Sequence, residues 1–300
     1  MRKVGKRGLA GALARHNQAE QTKSKKIKSL EASIANQKLK DRSKSNGNTK
    51  TKKGKQVHHQ KGLIPFDKES RLMLIGEGDF SFAVSIVKQD YVNPEFLVAT
   101  SYDTLDQLKA KYPNVEEHLK YLEEMKVKVF FEIDANDLTG SFKLDSKKGK
   151  AKIKDVLPSI DYIMFNFPHT GRGMKDVDRN IRDHQKLMVN YFKSCSKIFD
   201  LVNDSSNDVF GGYKDEINSK ILITLFEGEP YNSWQIKMLG RSENWKVDKS
   251  GKFEWSLFPE YHHRRTNSVK DTTKPASERD ARIYVFEKFK KVTKEESDSE

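Results

Sequence analysis

The residues whose types and spacing could support chemistry begin with a Gly-Glu-Gly-Asp turn at 76–79, which follows an apolar run. The two glycines lack a Cβ, so the backbone can turn sharply and lie against a ligand. Apolar residues then recur from Phe80 at helical spacing, and Asp79 is a suitable cap for that helix. This order predicts the first strand, turn and helix of a nucleotide-binding α/β unit, although a short glycine turn alone equally fits an ordinary strand-to-helix connection.

The charge of this turn indicates which ligand it accepts. A dinucleotide fingerprint has a third glycine three residues after the second, but this chain has Ser81 there. The carboxylates of Glu77 and Asp79 also disfavour a pyrophosphate at the start of the helix. They suit a ligand that carries an amino group and a positively charged sulfur, so we expect S-adenosylmethionine as the cofactor.

Two further acidic residues follow predicted strands and are candidates for contacts with the same cofactor. Asp103 comes after the apolar run 96–100, and an acid at the end of a second strand can hold a ribose through its hydroxyls. Asp134 closes the alternating run 126–133, where it can contact an adenine. Capping of the next helix by Asp103 and turn formation by Asp134 are the alternatives, as is helix packing for Phe80. The predicted cofactor-binding residues are Gly76, Glu77, Gly78, Asp79, Phe80, Asp103 and Asp134.

A second cluster, at 166–169, ends the apolar run that starts at Asp161. In a doubly wound α/β fold the carboxyl ends of the strands line the ligand crevice. The cluster resembles the Asn-Pro-Pro-aromatic loop of methyltransferases that act on amino nitrogens of bases, with Phe167 in place of the first proline and His169 in place of the aromatic residue. The resemblance implies that Asn166 holds the target base and that an aromatic ring stacks on it. The predicted catalytic residues are Asn166, Phe167, Pro168 and His169.

The remaining pattern predicts the elements that position these residues. Helical spacing over 174–199 places His184 and Cys195 on the core side of a long helix. Pro113 interrupts a helix predicted at 105–125. Strands are predicted at 72–75, 96–100, 126–133, 161–166, 221–226, 244–258 and 282–289, the last as an antiparallel hairpin partner, and loops at 139–155 and 201–219.

Five strings occur in the order GEGDFSF, SYD, NFPH, GEPY and YHHRRT. Together they resemble the Rossmann-like family of 25S ribosomal RNA uridine-N3 methyltransferases from fungi and their relatives, over about residues 70–288. The resemblance implies a class I S-adenosylmethionine-dependent enzyme of the nucleolus that methylates one uridine of the large-subunit RNA. It also implies an α/β fold with a mostly parallel seven-stranded sheet and helices on both faces.

Methylation of a uracil ring nitrogen requires that the nitrogen lose its proton, because the imide is protonated at neutral pH. His169 is the first candidate for the general base, since a neutral imidazole accepts a proton at physiological pH. Asp79, or a water held by either residue, is the alternative. Asn166 is a candidate donor to a uracil carbonyl beside the reacting nitrogen, where it would stabilise developing charge.

A later basic and aromatic stretch supplies candidates for RNA contacts. The segment 261–266 combines side chains that bind phosphates and stack on bases, and Tyr231 follows the strand 221–226 at its ligand-facing end. A solvated charged loop is the alternative for the segment 261–266. Adjacent histidines without cysteine partners lack the spacing of a zinc site, so no metal is predicted. The predicted RNA-binding residues are Tyr231, Tyr261, His262, His263, Arg264 and Arg265.

Charge is distributed unevenly along the 300 residues. Residues 1–61 hold 18 Lys or Arg against three acids, a balance of +15, whereas the rest holds 38 against 40. The first part also lacks aromatic residues, so we expect a disordered basic tail at 1–61, a methyltransferase domain at 62–289 and a C-terminal tail at 290–300. Such a tail attracts polyanions and suits a nuclear or nucleolar address, although it could serve only to solubilise the chain.

The composition also indicates the cellular compartment of the protein. The single cysteine excludes an internal disulfide, no apolar run reaches the length of a membrane span, and the N-terminus lacks a secretory signal. We therefore expect a soluble, intracellular protein that binds no membrane, and we expect it to be a monomer. The family resemblance implies ribosomal RNA or a pre-ribosomal particle as its partner and the nucleolus as its location. A catalytically silent RNA-binding or ribosome-assembly factor with the same fold is the alternative function, and a small-molecule methyltransferase is a further one.

Overall fold

A computed structural model describes residues 62–203, 219–264 and 276–289. The tail predicted at 1–61, most of the loop predicted at 201–219, Arg265 and the tail predicted at 290–300 lie outside these ranges. The strands are β1 Leu72–Ile75, β2 Leu97–Thr100, β3 Lys128–Phe130, β4 Tyr162–Asn166, β5 Lys220–Phe226, β6 Trp245–Lys252 and β7 Ala281–Lys288. The α-helices are α1 Ser81–Lys88, α2 Leu105–Lys111, α3 Val115–Glu124, α4 Leu138–Ser141, α5 Lys147–Val156, α6 Val177–Asn203 and α7 Ile236–Ser242. Short 3-10 helices lie at Pro94–Phe96, Asn232–Trp234, Trp255–Leu257 and Ala276–Glu278.

These strands form one mixed sheet in the order β3-β2-β1-β4-β5-β7-β6. The neighbours among β1 to β5 pair in parallel, whereas β7 runs antiparallel to both β5 and β6. The predicted mostly parallel seven-stranded sheet, with its antiparallel last strand, is therefore confirmed. Because parallel strands end at the same edge of a sheet, the side chains that follow β1, β2 and β4 meet there.

Hydrophobic cores lie on both faces of the sheet. In β1, Met73 and Ile75 pack into a core that includes α6, whereas Leu72 and Leu74 pack into a core that includes α1. Alternate side chains of a strand point to opposite faces, so helices cover both faces as predicted. Cys195 is buried in the first core, in agreement with its helical position.

Several element boundaries differ from the sequence prediction. The predicted loop 139–155 contains most of α4 and α5, because the side chain of Ser146 accepts from the N–H of Gly149 at 3.0 Å and Ile153 is buried. The many lysines in this segment favoured the prediction of a loop over that of a helix with an apolar face. α2 ends before Pro113 and α3 begins after it, as predicted. Across the described ranges, no helix is both long enough and apolar enough to cross a membrane.

Candidate active site

The carboxyl ends of β1, β2 and β4 and the segment 261–264 surround a cavity of about 580 Å³. This volume is in the range of small-molecule sites. The glycine turn 76–79, here called the cofactor turn for its predicted role, and the loop 166–169, here called the catalytic loop for its predicted role, open into the same space. Asp79 of the turn and Asn166 of the loop both line it. The predicted residues in its lining are Gly76, Glu77, Gly78, Asp79, Asp103, Asp134, Asn166, Phe167, His169, Tyr261, His262, His263 and Arg264. Phe80, Pro168 and Tyr231 lie outside the lining, and Arg265 lies outside the described residues.

The glycine turn is tied to β2 and has no room for a side chain at its first position. Gly76 has a φ of +69°, and a Cβ built on it would lie 2.5 Å from Cε2 of Phe165. The N–H of Glu77 donates to the carbonyl oxygen of Thr100 at 2.8 Å. Glycine alone combines this backbone conformation with such a close approach at low cost.

Two acidic side chains of the turn fold back onto the start of α1. Oδ1 of Asp79 accepts from the N–H of Ser81 at 3.1 Å, and Oε2 of Glu77 accepts from the N–H of Ala83 at 3.3 Å. Asp79 is nevertheless not the cap residue that the sequence predicted, because α1 follows Phe80, which has a φ of +60°. Since the protein's own carboxyl groups occupy these N–H groups, this helix end is a poor site for a pyrophosphate.

Two aromatic candidates are packed away from the cavity. Phe80 is fully buried and packs edge-on against Phe131, with ring centroids 6.2 Å apart. Tyr231 packs against Phe226 and Trp234 at centroid distances of 5.5 and 5.1 Å. Packing, which was the alternative role of Phe80, therefore describes both side chains better than the predicted cofactor and RNA contacts.

Glu77 is an unusual acid because it lines a polar cavity and is only 7% exposed. Burial raises its pKa from 4.5 to about 8; the hydrogen bond from Ala83 opposes this shift and the charge of Asp79 adds to it. Near neutral pH the carboxyl of Glu77 is therefore largely protonated. The negative charge of the turn resides on Asp79.

Glu77→Gln is expected to change how stability depends on pH. The folded protein keeps a proton on Glu77 that the unfolded chain releases above pH 4.5, so the free energy of unfolding falls as the pH rises from 4.5 to about 8. One such group contributes a slope of up to about 1.4 kcal/mol per pH unit. In urea denaturation across this window, the stability of Glu77→Gln relative to the wild type should increase with pH. A difference that stays constant would contradict the raised pKa.

Asp103 and Asp134 both line the cavity, and each already has a protein partner. Nζ of Lys111 donates to the two carboxylate oxygens of Asp103 at 2.7 and 2.8 Å. Thr104 caps α2, so the alternative role of Asp103 as a helix cap is wrong. Oδ1 of Asp134 accepts from the backbone and side-chain N–H groups of Asn136, both at 2.8 Å. Asp134 thus forms the local turn that was its alternative role, while it also faces the cavity.

The side chain of Asn166 is oriented by Thr224 of β5. Oγ1 of Thr224 donates to Oδ1 of Asn166 at 2.6 Å. Nδ2 of Asn166 is buried, and no described residue accepts a hydrogen bond from it. Leaving such a donor unpaired costs about 1–3 kcal/mol, so a ligand acceptor is a physical reason for its orientation. Thr224 was missed in the sequence, where a hydroxyl inside the apolar run 221–226 was the available signal.

Phe167 follows Asn166 with a φ of +47°. The ring is 8% exposed and packs against Phe226, Phe253 and Trp255, at centroid distances of 4.4, 5.6 and 5.5 Å. Little ring surface is therefore left to stack on a base, contrary to the prediction. Pro168 is also buried and lies outside the cavity lining, whereas Phe167 reaches the lining with little of its ring exposed.

His169 is held as a neutral hydrogen-bond donor. Its Nδ1 accepts from the N–H of Gly171 at 2.9 Å, so the network assigns the ring proton to Nε2. The ring of His184, fixed by Asn180 and Thr170, lies 4.7 Å away between centroids. His169 is exposed at the cavity, where partial desolvation by the surrounding protein, followed by the nearby His184, lowers its pKa to about 4. The occupied Nδ1 and the low basicity oppose the prediction that His169 is the general base.

His169→Ala is expected to lower kcat by about tenfold to a hundredfold because it removes a donor from the substrate pocket. The shape of the pH–rate profile above about pH 5 should not change, since the lowered pKa keeps His169 neutral there. His169→Gln should recover part of the rate, because an amide also donates. A wild-type profile that falls below about pH 6.5, and a variant profile that does not, would restore the general-base role.

The segment 261–264 covers the cofactor turn. The N–H of His262 donates to Oγ of Ser81 at 3.0 Å, and its carbonyl oxygen lies 3.3 Å from the same hydroxyl. Nε of Arg264 donates to Oδ2 of Asp79 at 3.0 Å. Residues predicted to contact RNA thus form a wall at the cofactor end of the cavity.

The rings of this segment point inward as well. Tyr261 packs edge-on against Phe82 with centroids 5.3 Å apart, and His263 packs edge-on against Phe167 at 4.9 Å. Burial, followed by the charge of Arg279, lowers the pKa of His263 to about 4. A neutral, packed imidazole is a poor phosphate contact, so the structure does not support an electrostatic RNA role for His263.

Basic residues that the sequence candidates did not include also line the cavity. Arg172 lies between two glycines, three residues after His169, and its Nη1 donates to Asp183 at 2.8 Å. Lys186 extends from α6 into the same lining. A basic residue flanked by glycines shortly after Asn-Phe-Pro-His was the available signal. Because Asp183 compensates the charge of Arg172, Lys186 supplies the added positive charge on the α6 side of the cavity.

Comparisons with known proteins identify relatives of this chain. The model of the family described as BMT5-like rRNA (uridine-N3-)-methyltransferases matches residues 73–265. The chain is 42% identical over 313 residues to the 25S rRNA (uridine(2634)-N(3))-methyltransferase of Saccharomyces cerevisiae, covering 96% of this chain and 92% of that protein. It is 26% identical over 209 residues to an uncharacterized protein of Arabidopsis thaliana, covering 69% and 87%. Among solved structures, TrmN from Thermus thermophilus matches with a TM-score of 0.40 and 10% identity, covering 74% of this chain and 45% of that chain. The chain therefore belongs to the BMT5-like rRNA (uridine-N3-)-methyltransferase family.

Proposed function

We propose that this protein transfers a methyl group from S-adenosylmethionine to ring nitrogen N3 of a uridine in 25S ribosomal RNA. The proposal is carried by one observation: the glycine turn with Asp79 and the loop with Asn166 open into one cavity. Family membership and the 42% identity to the yeast enzyme support this reaction. They also support the uridine equivalent to uridine 2634 of the yeast relative as the target.

The cavity residues fit S-adenosylmethionine. Gly76 and Gly78 permit close approach of the ligand, and Asp79 supplies negative charge for its ammonium group. Asp103, at the end of β2, is in the position from which an acid holds ribose hydroxyls. The acidic helix start, in contrast, disfavours a dinucleotide. When bound, the cofactor supplies an electrophilic methyl group on a positively charged sulfur.

The catalytic loop supplies donors for the uracil ring. In this proposal Nδ2 of Asn166 and the protonated Nε2 of His169 donate to the carbonyl oxygens that flank N3, because both residues line the cavity and no described residue accepts from Nδ2. These oxygens would gain negative charge as N3 gives its proton to a water molecule, so fixed donors would stabilise the resulting anion. Holding the uracil ring beside the methyl donor also removes the entropic cost of a bimolecular encounter.

The RNA must present an accessible base. A uridine inside a helix is shielded, so we propose that the protein acts on single-stranded or immature RNA, or turns the nucleotide out. The basic residues of 1–61 would add affinity without sequence preference. A monomer acting on pre-ribosomal particles in the nucleolus is part of this proposal.

The proposal is tested with purified protein, methyl-labelled S-adenosylmethionine and 25S RNA from cells that lack the protein. We expect labelled 3-methyluridine after digestion of the RNA to nucleosides. Tight RNA binding without cofactor binding or methylation would favour the catalytically silent assembly factor. Methyl transfer to a metabolite, with none to RNA, would favour a small-molecule methyltransferase.

A further inference from the structure

The ion pair between Arg264 and Asp79 lies in the cavity wall beside the glycine turn. Nε of Arg264 is 3.0 Å from Oδ2 of Asp79, and the side chains are 23% and 4% exposed. The two residues are 185 positions apart in the chain. Folding of the segment 261–264 across the start of α1 therefore brings a guanidinium to the carboxylate that we assign to the cofactor.

The other charged groups near the turn have different partners. Among the described cations that line the cavity, Lys111 pairs with Asp103, Arg172 pairs with Asp183 and Lys186 lies on α6, whereas Arg264 pairs with an acid of the turn itself. A carboxylate and a guanidinium side by side are thus the charges available to a ligand at this position.

The start of α1 cannot bind a ligand carboxylate in the usual way. Its N–H groups at Ser81 and Ala83 already donate to Asp79 and Glu77. A carboxylate placed at this turn therefore needs a cation from another part of the chain. The amino-acid end of S-adenosylmethionine carries one carboxylate and one ammonium group.

We propose that Asp79 and Arg264 together recognise the amino-acid end of the cofactor, with Asp79 binding its ammonium group and Arg264 binding its carboxylate. This inference rests on the proposed function and assigns Arg264, which the sequence suggested for RNA, to the cofactor. A guanidinium suits the task because its planar N–H groups match a carboxylate in a bidentate geometry. Before binding, each side chain compensates the other's charge, so neither charge is left unpaired in the cavity wall.

The test compares two ligands that differ only in the carboxylate. S-adenosylhomocysteine and its decarboxylated form, S-adenosyl-3-thiopropylamine, are titrated calorimetrically into the full-length wild type, Arg264→Gln and Arg264→Lys. We expect Arg264→Gln to weaken the binding of S-adenosylhomocysteine by about tenfold to a hundredfold. The same variant should weaken the binding of the decarboxylated ligand by less than about threefold. Arg264→Lys should give an intermediate loss for the first ligand, since it keeps the charge and loses the planar geometry.

Arg172→Gln is the matched control, because it removes another guanidinium that lines the cavity and pairs with an acid. It should leave the affinity ratio of the two ligands unchanged. Equal weakening of both ligands by Arg264→Gln would assign Arg264 a purely structural role and overturn the proposal. Unchanged S-adenosylhomocysteine affinity with weakened RNA binding would overturn it in favour of an RNA contact. If neither ligand binds the wild type, the proposed function itself fails.

Discussion

Asn166→Ala is expected to reduce kcat for uridine methylation by about a hundredfold to a thousandfold and to leave the affinity for S-adenosylhomocysteine within about threefold. The reason is the orientation of the amide. Thr224 holds Oδ1 at 2.6 Å, so Nδ2 is the group that faces the ligand. A donor fixed beside a uracil carbonyl acts mainly when negative charge develops there, and its loss affects the chemical step more than binding. Single-turnover kinetics and calorimetry separate the two effects.

Asn166→Asp distinguishes a donor from an acceptor at this position. If Asn166 donates to a carbonyl, the carboxylate repels the developing anion and the variant should be at least as slow as Asn166→Ala. If Asn166 instead accepts a hydrogen bond from the N–H group of N3, Asn166→Asp should retain much of the activity. Thr224→Val keeps the shape of the side chain but frees the amide to rotate, so an intermediate loss of kcat is expected. Full activity of Thr224→Val would show that its hydroxyl does not position Asn166.

Gly76→Ala is expected to lower the free energy of unfolding by about 2–5 kcal/mol and to weaken cofactor binding by more than about tenfold. The new Cβ would sit 2.5 Å from Cε2 of Phe165, at a φ of +69°. That ring cannot move aside freely, because it is 7% exposed and packs edge-on against Tyr191. The backbone of the turn must therefore shift away from the ligand. Urea denaturation and calorimetry with S-adenosylhomocysteine measure the two losses.

Gly173→Ala separates backbone strain from collision. Gly173 has a φ of +60°, and a Cβ there would meet no atom within 4 Å. It should therefore show the strain alone, about 1–2 kcal/mol, with cofactor affinity retained. Equal destabilisation by the two variants would mean that contact with Phe165 does not make Gly76 necessary.

The sequence alone located the features that depend on the types and spacing of residues close together in the chain. The turn at 76–79 and the loop at 166–169 follow apolar strands, and parallel strands deliver their carboxyl ends to one edge. Their meeting in one cavity was therefore predictable from order and spacing. The helix over 177–203 was equally visible, because its apolar residues recur at a regular interval.

The features that sequence alone missed depend on contacts between distant parts of the chain. The sequence suggested that Arg264 contacts RNA, but in the fold its Nε lies 3.0 Å from Oδ2 of Asp79. His169 reads as a base until the N–H of Gly171 occupies its Nδ1 and burial lowers its pKa to about 4. Phe80 reads as a ligand contact until its ring is seen to pack on Phe131. Residue type limits what a side chain can do, and tertiary structure selects among the possibilities.

The most direct measurement is the content of 3-methyluridine in 25S RNA from cells whose sole copy of this protein carries Asn166→Ala. We predict that the modified nucleoside is lost, while the variant accumulates normally and still binds S-adenosylhomocysteine. Undiminished 3-methyluridine in those cells would contradict the assignment of this cavity as the site where the uridine is methylated.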